Sequence, residues 1–210
     1  MLTAMGDVMR KAYDKGWITT RDGNISVKMT GKDILYITPS GWRKTILHPE
    51  HIIKIKFTPA GLNIPEGTTP SGELSMHSKL QRFRKYTTAV VHLHPTNIIA
   101  AMYAGWDLQV LAAEFPEVSR YTKVGPTVPI LPVTSHELAS ATHKAMTAAD
   151  SNKVIYDIVG QKNHGVCSIG ANPWDAYEHI ERLEHICEIV LKSGKKPKPE
   201  QHYNYKSVAI

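Results

Sequence analysis

The strongest constraint on this chain is a switch of hydrophobic period along its length. Ile25, Val27 and Met29 alternate with Ser26 and Lys28, and after Thr30-Gly31-Lys32-Asp33 comes the run Ile34-Leu35-Tyr36-Ile37. A period of two on both sides of a Gly-bearing turn predicts two strands joined tightly. A third strand is predicted over His51 to Phe57, where Ile53, Ile55 and Phe57 alternate with Lys54 and Lys56. Such alternation predicts a sheet with one wet face. Ala89-Val90-Val91-His92-Leu93-His94 reads instead as a buried strand, with Pro95 ending it and opening the next helix at its first position.

Elsewhere the period is helical. Leu2, Met5, Met9, Ala12 and Tyr13 define an opening helix stopped by Gly16. The turn-rich stretch Pro65 to Gly72 precedes a helical segment from Glu73 to Lys85. Thr134-Ser135-His136-Glu137 reads as a capping box for a helix to about Ala149, and Val154 to Val159 returns to strand. Asn172-Pro173-Trp174-Asp175 starts a last long helix with the stripe Tyr177, Ile180, Leu183, Ile186, Cys187, Val190 and Leu191, ended by Ser193-Gly194. Strands and helices interleave around a hairpin start, so the expected fold is α/β with one central, mostly antiparallel sheet. It occupies residues 1–193, and 194–210 form a tail beginning Lys195-Lys196-Pro197-Lys198.

With 42% apolar and 21% charged residues in 210, the chain has an ordinary globular composition, which excludes a disordered or collagen-like class. No apolar run is long enough to span a bilayer. Met1 to Lys15 carries Asp7, Arg10, Lys11 and Asp14 and lacks the apolar block of a secretion signal, so the expected location is the cytoplasm. Cys167 and Cys187 lie far apart and read as buried fillers. The net charge of +6 raises the question of nucleic acid. No helix-turn-helix, RNP or zinc-finger spacing accompanies it, so neither nucleic acid nor membrane is an expected partner, and small anionic substrates fit the charge.

The chain holds 11 histidines. His92 and His94 stand at i and i+2 at the end of an apolar strand, so their imidazoles share one side and can chelate one metal. Chance alone places roughly half of one such pair in a chain of this composition, and the context supplies the weight. The pair sits at a sheet rim, where α/β sites lie. His164, in Gln161-Lys162-Asn163-His164-Gly165, occupies a turn and can add a third nitrogen, though taken alone it is an ordinary turn histidine. Glu73 opens a helix after a Gly/Ser/Thr loop, so its carboxylate and the free N–H groups of a helix start share one volume. Asp22-Gly23-Asn24 and Thr38-Pro39-Ser40-Gly41 are further turns that can offer amides and hydroxyls to a phosphate.

Taken in order, Gly23-Asn24-Ile25-Ser26-Val27, Ile37-Thr38-Pro39-Ser40-Gly41, Pro70-Ser71-Gly72-Glu73 with His77, Val91-His92-Leu93-His94-Pro95 and Asn163-His164-Gly165 resemble the class II aldolase/adducin family. Its members include fuculose-phosphate and rhamnulose-phosphate aldolases, ribulose-phosphate 4-epimerases, methylthioribulose-phosphate dehydratases and sugar-acid-phosphate decarboxylases. The resemblance covers about residues 1–193 and implies a three-layer α/β/α sandwich. It implies that His92, His94 and His164 bind a divalent metal, zinc or else manganese or cobalt. It implies that Glu73 is the acid/base carboxylate and that Asn24, Ser40, Gly41, Ser71 and Gly72 surround the substrate phosphate, with His77 structural.

The implied activity is a metal-dependent aldolase-type lyase, cleaving a small phosphorylated ketose through a metal-stabilised enediolate. Dehydration, decarboxylation and 4-epimerisation need the same enediolate and are the alternatives. Epimerases of the family carry Asp at Glu73, which weighs against that branch. Fuculose-phosphate aldolases carry a second Ser at Gly72, so one hydroxyl is missing here, and Arg43-Lys44 can compensate with charge. The family's aldolases also use a tyrosine from across a subunit interface to protonate the leaving aldehyde oxygen. Tyr121 is the candidate, read otherwise as a packed strand-end aromatic, with Tyr203 and Tyr205 as further donors. Family members form ring tetramers, so a homotetramer is expected. A non-catalytic, adducin-like interaction module is the reading from another class, and retention of the three histidines with Glu73 weighs against it.

Overall fold

The computed structural model describes residues 1–86, 88–149 and 151–196. Its strands are β1 (Asn24–Lys28), β2 (Ile34–Ile37), β3 (Ile53–Thr58), β4 (Gly61–Asn63), β5 (Thr88–Leu93), β6 (Ile158–Gln161) and β7 (Gly165–Gly170). They form one seven-stranded sheet in the order β4-β3-β2-β1-β5-β7-β6, and every neighbouring pair is antiparallel. The helices are α1 (Leu2–Asp14), α2 (Leu74–Gln81), α3 (Thr96–Tyr103), α4 (Leu108–Ala113), α5 (Pro116–Tyr121), α6 (His136–Met146) and α7 (Pro173–Ser193).

The alternation of side chains along β1 and β5 sends residues to two separate cores. Ile25, Val27, Val91 and Leu93 pack with α1, α3, α4, α5 and α7. Val90, Val159, Cys167 and Ile169 pack with Met76 and Leu80 of α2 and Leu138 and Met146 of α6. The sheet is thus covered on both faces, as the expected three-layer sandwich requires. The stripe of α7 is the largest helical contribution. Tyr177, Ile180, Leu183 and Cys187 are buried there, each large apolar side chain contributing about 1.5–3 kcal/mol.

One expectation fails in an informative way. β1 has no wet face. Asn24, Ser26 and Lys28, its polar residues, are as buried as Ile25 and Val27 because α2 lies over them. Lys28 Nζ donates to the carbonyls of Arg82 (3.0 Å) and Arg84 (2.8 Å), at the end of α2 where carbonyls lack helical partners. Ser26 and Asn24 hydrogen-bond to α2 side chains. The wet-face reading holds for β3, where Lys54 and Lys56 are exposed.

Several boundaries also move. His51 lies in a 3-10 turn (Pro49–His51) before β3, and the helix expected to Lys85 ends at Gln81. Pro95 is the cap of α3 rather than its first residue. The cap of α6 is Ser135, whose hydroxyl accepts from Leu138 N at 3.0 Å, and the helix ends at Met146. Val154 to Asp157 is not strand, because Ile155 N pairs with Met146 O at the end of α6, and the strand runs from Ile158 to Gln161. Helices α4 and α5 and the short β4 were not anticipated. From Pro197 on, the tail lies outside the described residues, and so do Tyr203 and Tyr205. Among the described residues no helix is long and apolar enough to cross a membrane.

Candidate metal and substrate site

His92 lies near the end of β5, His94 one residue beyond it, and His164 in the turn between β6 and β7. Asn163 takes the left-handed conformation in that turn (φ 58°), a role asparagine tolerates well. The pairing of β5 with β7 then carries the turn to the end of β5. One nitrogen from each of the three rings lies within 4.8 Å of the other two. His92 Nε2 and His94 Nε2 are 3.0 Å apart.

The donor set fits a divalent metal. His92 Nδ1 donates to Val166 O (2.9 Å), which fixes its tautomer and leaves Nε2 as a lone pair directed at the cluster. His164 Nδ1 is buried with no partner among the described residues. Burial pushes the pKa of His92 well below the ordinary imidazole value, that of His94 down to about 4, and that of His164 down as well. Mutual repulsion among the rings adds to the effect for His92 and His94. All three are therefore neutral at pH 7, the form that coordinates.

Gly165 makes this convergence possible. A Cβ there would lie 2.4 Å from Leu93 O, 2.8 Å from His94 Cδ2 and 3.2 Å from His92 Cε1. The first contact is with backbone and cannot be relieved by a rotamer change. Gly165→Ala is expected to reduce zinc affinity at least about 10-fold by splaying the turn from β5, as measured by competition with a chromophoric chelator. An unchanged affinity would show that the close approach is not required.

Glu73 caps α2 and is 6% exposed. Its Oε1 accepts from Thr134 N at 3.1 Å. Burial raises the Glu73 pKa, and the Thr134 hydrogen bond partly offsets this. Glu73 and the three histidines line one cavity of about 400 Å³. The same cavity is lined by Asn24, Ser40, Gly41, Ser71 and Gly72. Two turns meet there because Pro39 and Pro70 form an antiparallel bridge, with Ser40 N donating to Thr69 O (2.9 Å) and Ser71 N to Thr38 O (3.0 Å). Those two amides are thereby committed. The Gly41 and Gly72 amides and the Ser40 hydroxyl have no partner among the described residues, and Ser71 Oγ accepts from Glu73 N, which leaves its proton to give. Four hydrogen-bond donors are thus available to an anion.

Lys44 also lines the cavity, but Arg43 does not. Lys44 Nζ donates to Arg21 O and Trp42 O, both at 2.9 Å. Burial lowers its pKa to about 8, against the opposing pull of Asp22, so it is mostly charged at neutral pH. Of the Arg43-Lys44 pair, only the lysine can supply compensating charge. Gly72 itself faces Thr134. A Cβ at position 72 would lie 2.9 Å from Thr134 Cγ2, so Thr134 occupies the space that a serine there would need. Thr134 sits at φ 60°, a costly conformation for a β-branched residue.

Tyr121 does not line the cavity. It ends α5, is 53% exposed, and its ring lies beneath the guanidinium groups of Arg120 and Arg182, 5.5 and 5.7 Å from the centroid. It is therefore neither packed nor at a strand end. His77 is fully buried and hydrogen-bonds to Ser26 Oγ and Asn24 Oδ1, in keeping with a structural role. Sequence reasoning missed Thr134 and the exposed Arg21, which also lines the cavity. A capping-box reading had absorbed Thr134, and only its left-handed backbone separates it from that role.

Burial also pushes the His77 pKa down to about 3. An unfolded chain, with imidazoles near 6.5, binds protons that the fold refuses, so stability is complete above pH 6.5 and is lost as pH falls toward 3. The expected loss is about 1.4 kcal/mol per pH unit for each such histidine. Urea denaturation of metal-free protein in steps between pH 7 and 4 measures it, and a flat profile would contradict the burial argument.

Residues 3–191 match the family described as Class II Aldolase and Adducin N-terminal domain. The chain belongs to the class II aldolase/adducin family. It is 29% identical over 177 residues to an L-fuculose phosphate aldolase of Methanococcus maripaludis (strain C5), covering 84% of this chain and 88% of the relative. It is 26% identical over 194 residues to a methylthioribulose-1-phosphate dehydratase of Pectobacterium atrosepticum, covering 90% and 93%. Among solved structures, the L-fuculose-1-phosphate aldolase of Thermus thermophilus superposes with a TM-score of 0.71 at 25% identity, over 91% of this chain and 93% of that one.

Proposed function

We propose that this chain is a cytoplasmic, zinc-dependent lyase of the aldolase type that cleaves a small phosphorylated ketose. The observation that carries the reading is the shared cavity, which joins three neutral imidazoles, a buried carboxylate and four free hydrogen-bond donors. Three nitrogen ligands and an open position suit zinc, with manganese and cobalt as alternatives. Held by His92, His94 and His164, a divalent ion would supply positive charge to stabilise negative charge developing on a substrate carbonyl and its neighbouring hydroxyl. Asn24, Ser40, Gly41, Ser71 and Gly72 surround the phosphate, with Lys44 adding charge. Glu73, its pKa raised by burial, moves the proton at the carbon next to the carbonyl. The names of the relatives support a sugar-phosphate substrate.

Dehydration is the second reading. It is favoured by the dehydratase relative and by the cavity lining, which includes no tyrosine among the described residues. The aldolase reading takes Tyr121 from a neighbouring subunit, which its exposure permits, and with it a homotetramer. Light scattering that showed a monomer would remove that donor. Incubation of zinc-loaded protein with a panel of phosphorylated ketoses is expected to release dihydroxyacetone phosphate or glycolaldehyde phosphate with a trapped aldehyde. Release of water alone, leaving a dicarbonyl product, would establish the dehydratase. Stoichiometric zinc in protein purified without chelators is expected; its absence would favour the non-catalytic, adducin-like module.

A further inference from the structure

A second cavity, of about 700 Å³, lies along α2 and α6 and shares no lining residue with the metal cavity. It follows from how the two helices pack. Both turn large apolar side chains, Met76 and Leu80 on α2 and Leu138 and Met146 on α6, into the core they share. Their outward faces are polar: Ser75, Ser78 and Lys79 on α2 stand at helical spacing, as do His136, Ser140 and His143 on α6. Ser75 Oγ and His136 Nδ1 are 3.0 Å apart, which joins the two helix starts. Beyond that contact, the small Ser78 and Ser140 leave open the space that a Leu or Met would fill.

The lining divides by chemistry. Leu62, Leu74 and Phe83 make one side apolar, and Phe83 is 65% exposed. The other side is cationic. Lys79 has no ion-pair partner among the described residues. Arg82 is pinned, donating to Thr58 O (2.8 Å) with its guanidinium 5.8 Å from the Phe57 ring centroid, and it too has no carboxylate partner there. Among the described residues no Asp or Glu lines the cavity. Burial lowers the His143 pKa, and the charges of Lys79 and Arg84 push it the same way, so the field in the cavity is positive. The Ser140 hydroxyl and the His143 ring have no hydrogen-bond partners among the described residues. A positive charge without a counter-charge, set beside apolar surface in a cavity of ligand size, calls for an amphipathic anion. We propose that this cavity binds a small organic anion, its apolar body on Leu74 and Phe83 and its acidic head on Lys79, with Ser140 and His143 completing the hydrogen bonds. The site is separate from the proposed lyase chemistry and does not depend on it.

Titration of the full chain with anilinonaphthalene sulfonate, an apolar ring system bearing one negative charge, tests the proposal. Saturable fluorescence with one probe per chain is expected, with the largest amide shifts at Ser75, Lys79, Ser140 and His143. Lys79→Glu, a change at an exposed position, is expected to weaken binding at least about 10-fold, as loss of a hydrogen bond to a charged group does. Ser140→Phe is expected to weaken it by filling the cavity. The uncharged analogue phenylnaphthylamine is expected to bind at least about 10-fold more weakly than the sulfonate. Equal affinity in Lys79→Glu, or for the uncharged analogue, would overturn the proposal and leave an apolar surface suited to another protein chain. Amide shifts confined to the metal cavity, at Ser40 and Ser71, would overturn it as well. Phenylbutyrate and phenyl phosphate as competitors assign the acidic head as carboxylate or phosphate, and displacement by neither would count against the site.

Discussion

His94→Ala is expected to abolish stoichiometric zinc binding and, with it, turnover of any ketose phosphate the protein cleaves. His94 is one of three nitrogens on the cluster, and its backbone is held in place independently, since His94 N donates to Trp17 O at 3.1 Å. Truncation therefore removes a ligand without releasing the strand end. Loss of an outer partner of a metal ligand costs about 10–100-fold in affinity, and loss of a ligand itself exceeds that. Metal analysis after dialysis against a weak chelator measures it. One zinc ion per chain retained by His94→Ala would remove His94 from the ligand set.

Glu73→Gln separates the carboxylate from the metal. The amide keeps a carbonyl for Thr134 N and is nearly isosteric, so the turn that holds it is expected to persist. Zinc stoichiometry should be unchanged and thermal stability equal or higher, because a buried ionisable group has been neutralised. Turnover should fall about 10²–10⁴-fold, the usual contribution of a positioned proton-transfer group. Full activity would exclude Glu73 from the proton transfer, and loss of zinc would show that it serves chiefly as a ligand.

The parts of the fold that were legible in the residues are those governed by local period. The run from Ala89 to His94 reads as a buried strand because β5 is covered on both faces, and the α7 stripe reads as a helix because one face meets the core. What escaped depends on contacts distant in sequence. Nothing local to Ser26 or Lys28 reveals that α2 covers them, since the partners that satisfy them, His77, Gln81 and the carbonyls of Arg82 and Arg84, come more than 50 residues later. Helices α4 and α5 span six residues each, too short to establish a period. For the site, the histidines and Glu73 were legible through spacing and motif order. Lys44 was legible as charge but not as a buried group. Thr134 was not legible in its actual role, because a left-handed threonine has no sequence signal.

One carboxylate ties the centre to α7. Glu184 on α7 accepts from Asn97 N and Ile98 N (3.0 and 2.8 Å) and from the Asn97 side chain (2.9 Å), closing the start of α3 just beyond His94-Pro95. A nascent chain emerging from the ribosome has made His92 and His94 long before this clamp, and before His164, which completes the triad. The three nitrogens therefore converge only once β7 has paired with β5, and a metal held by all three rings would depend on that pairing between segments about 70 residues apart.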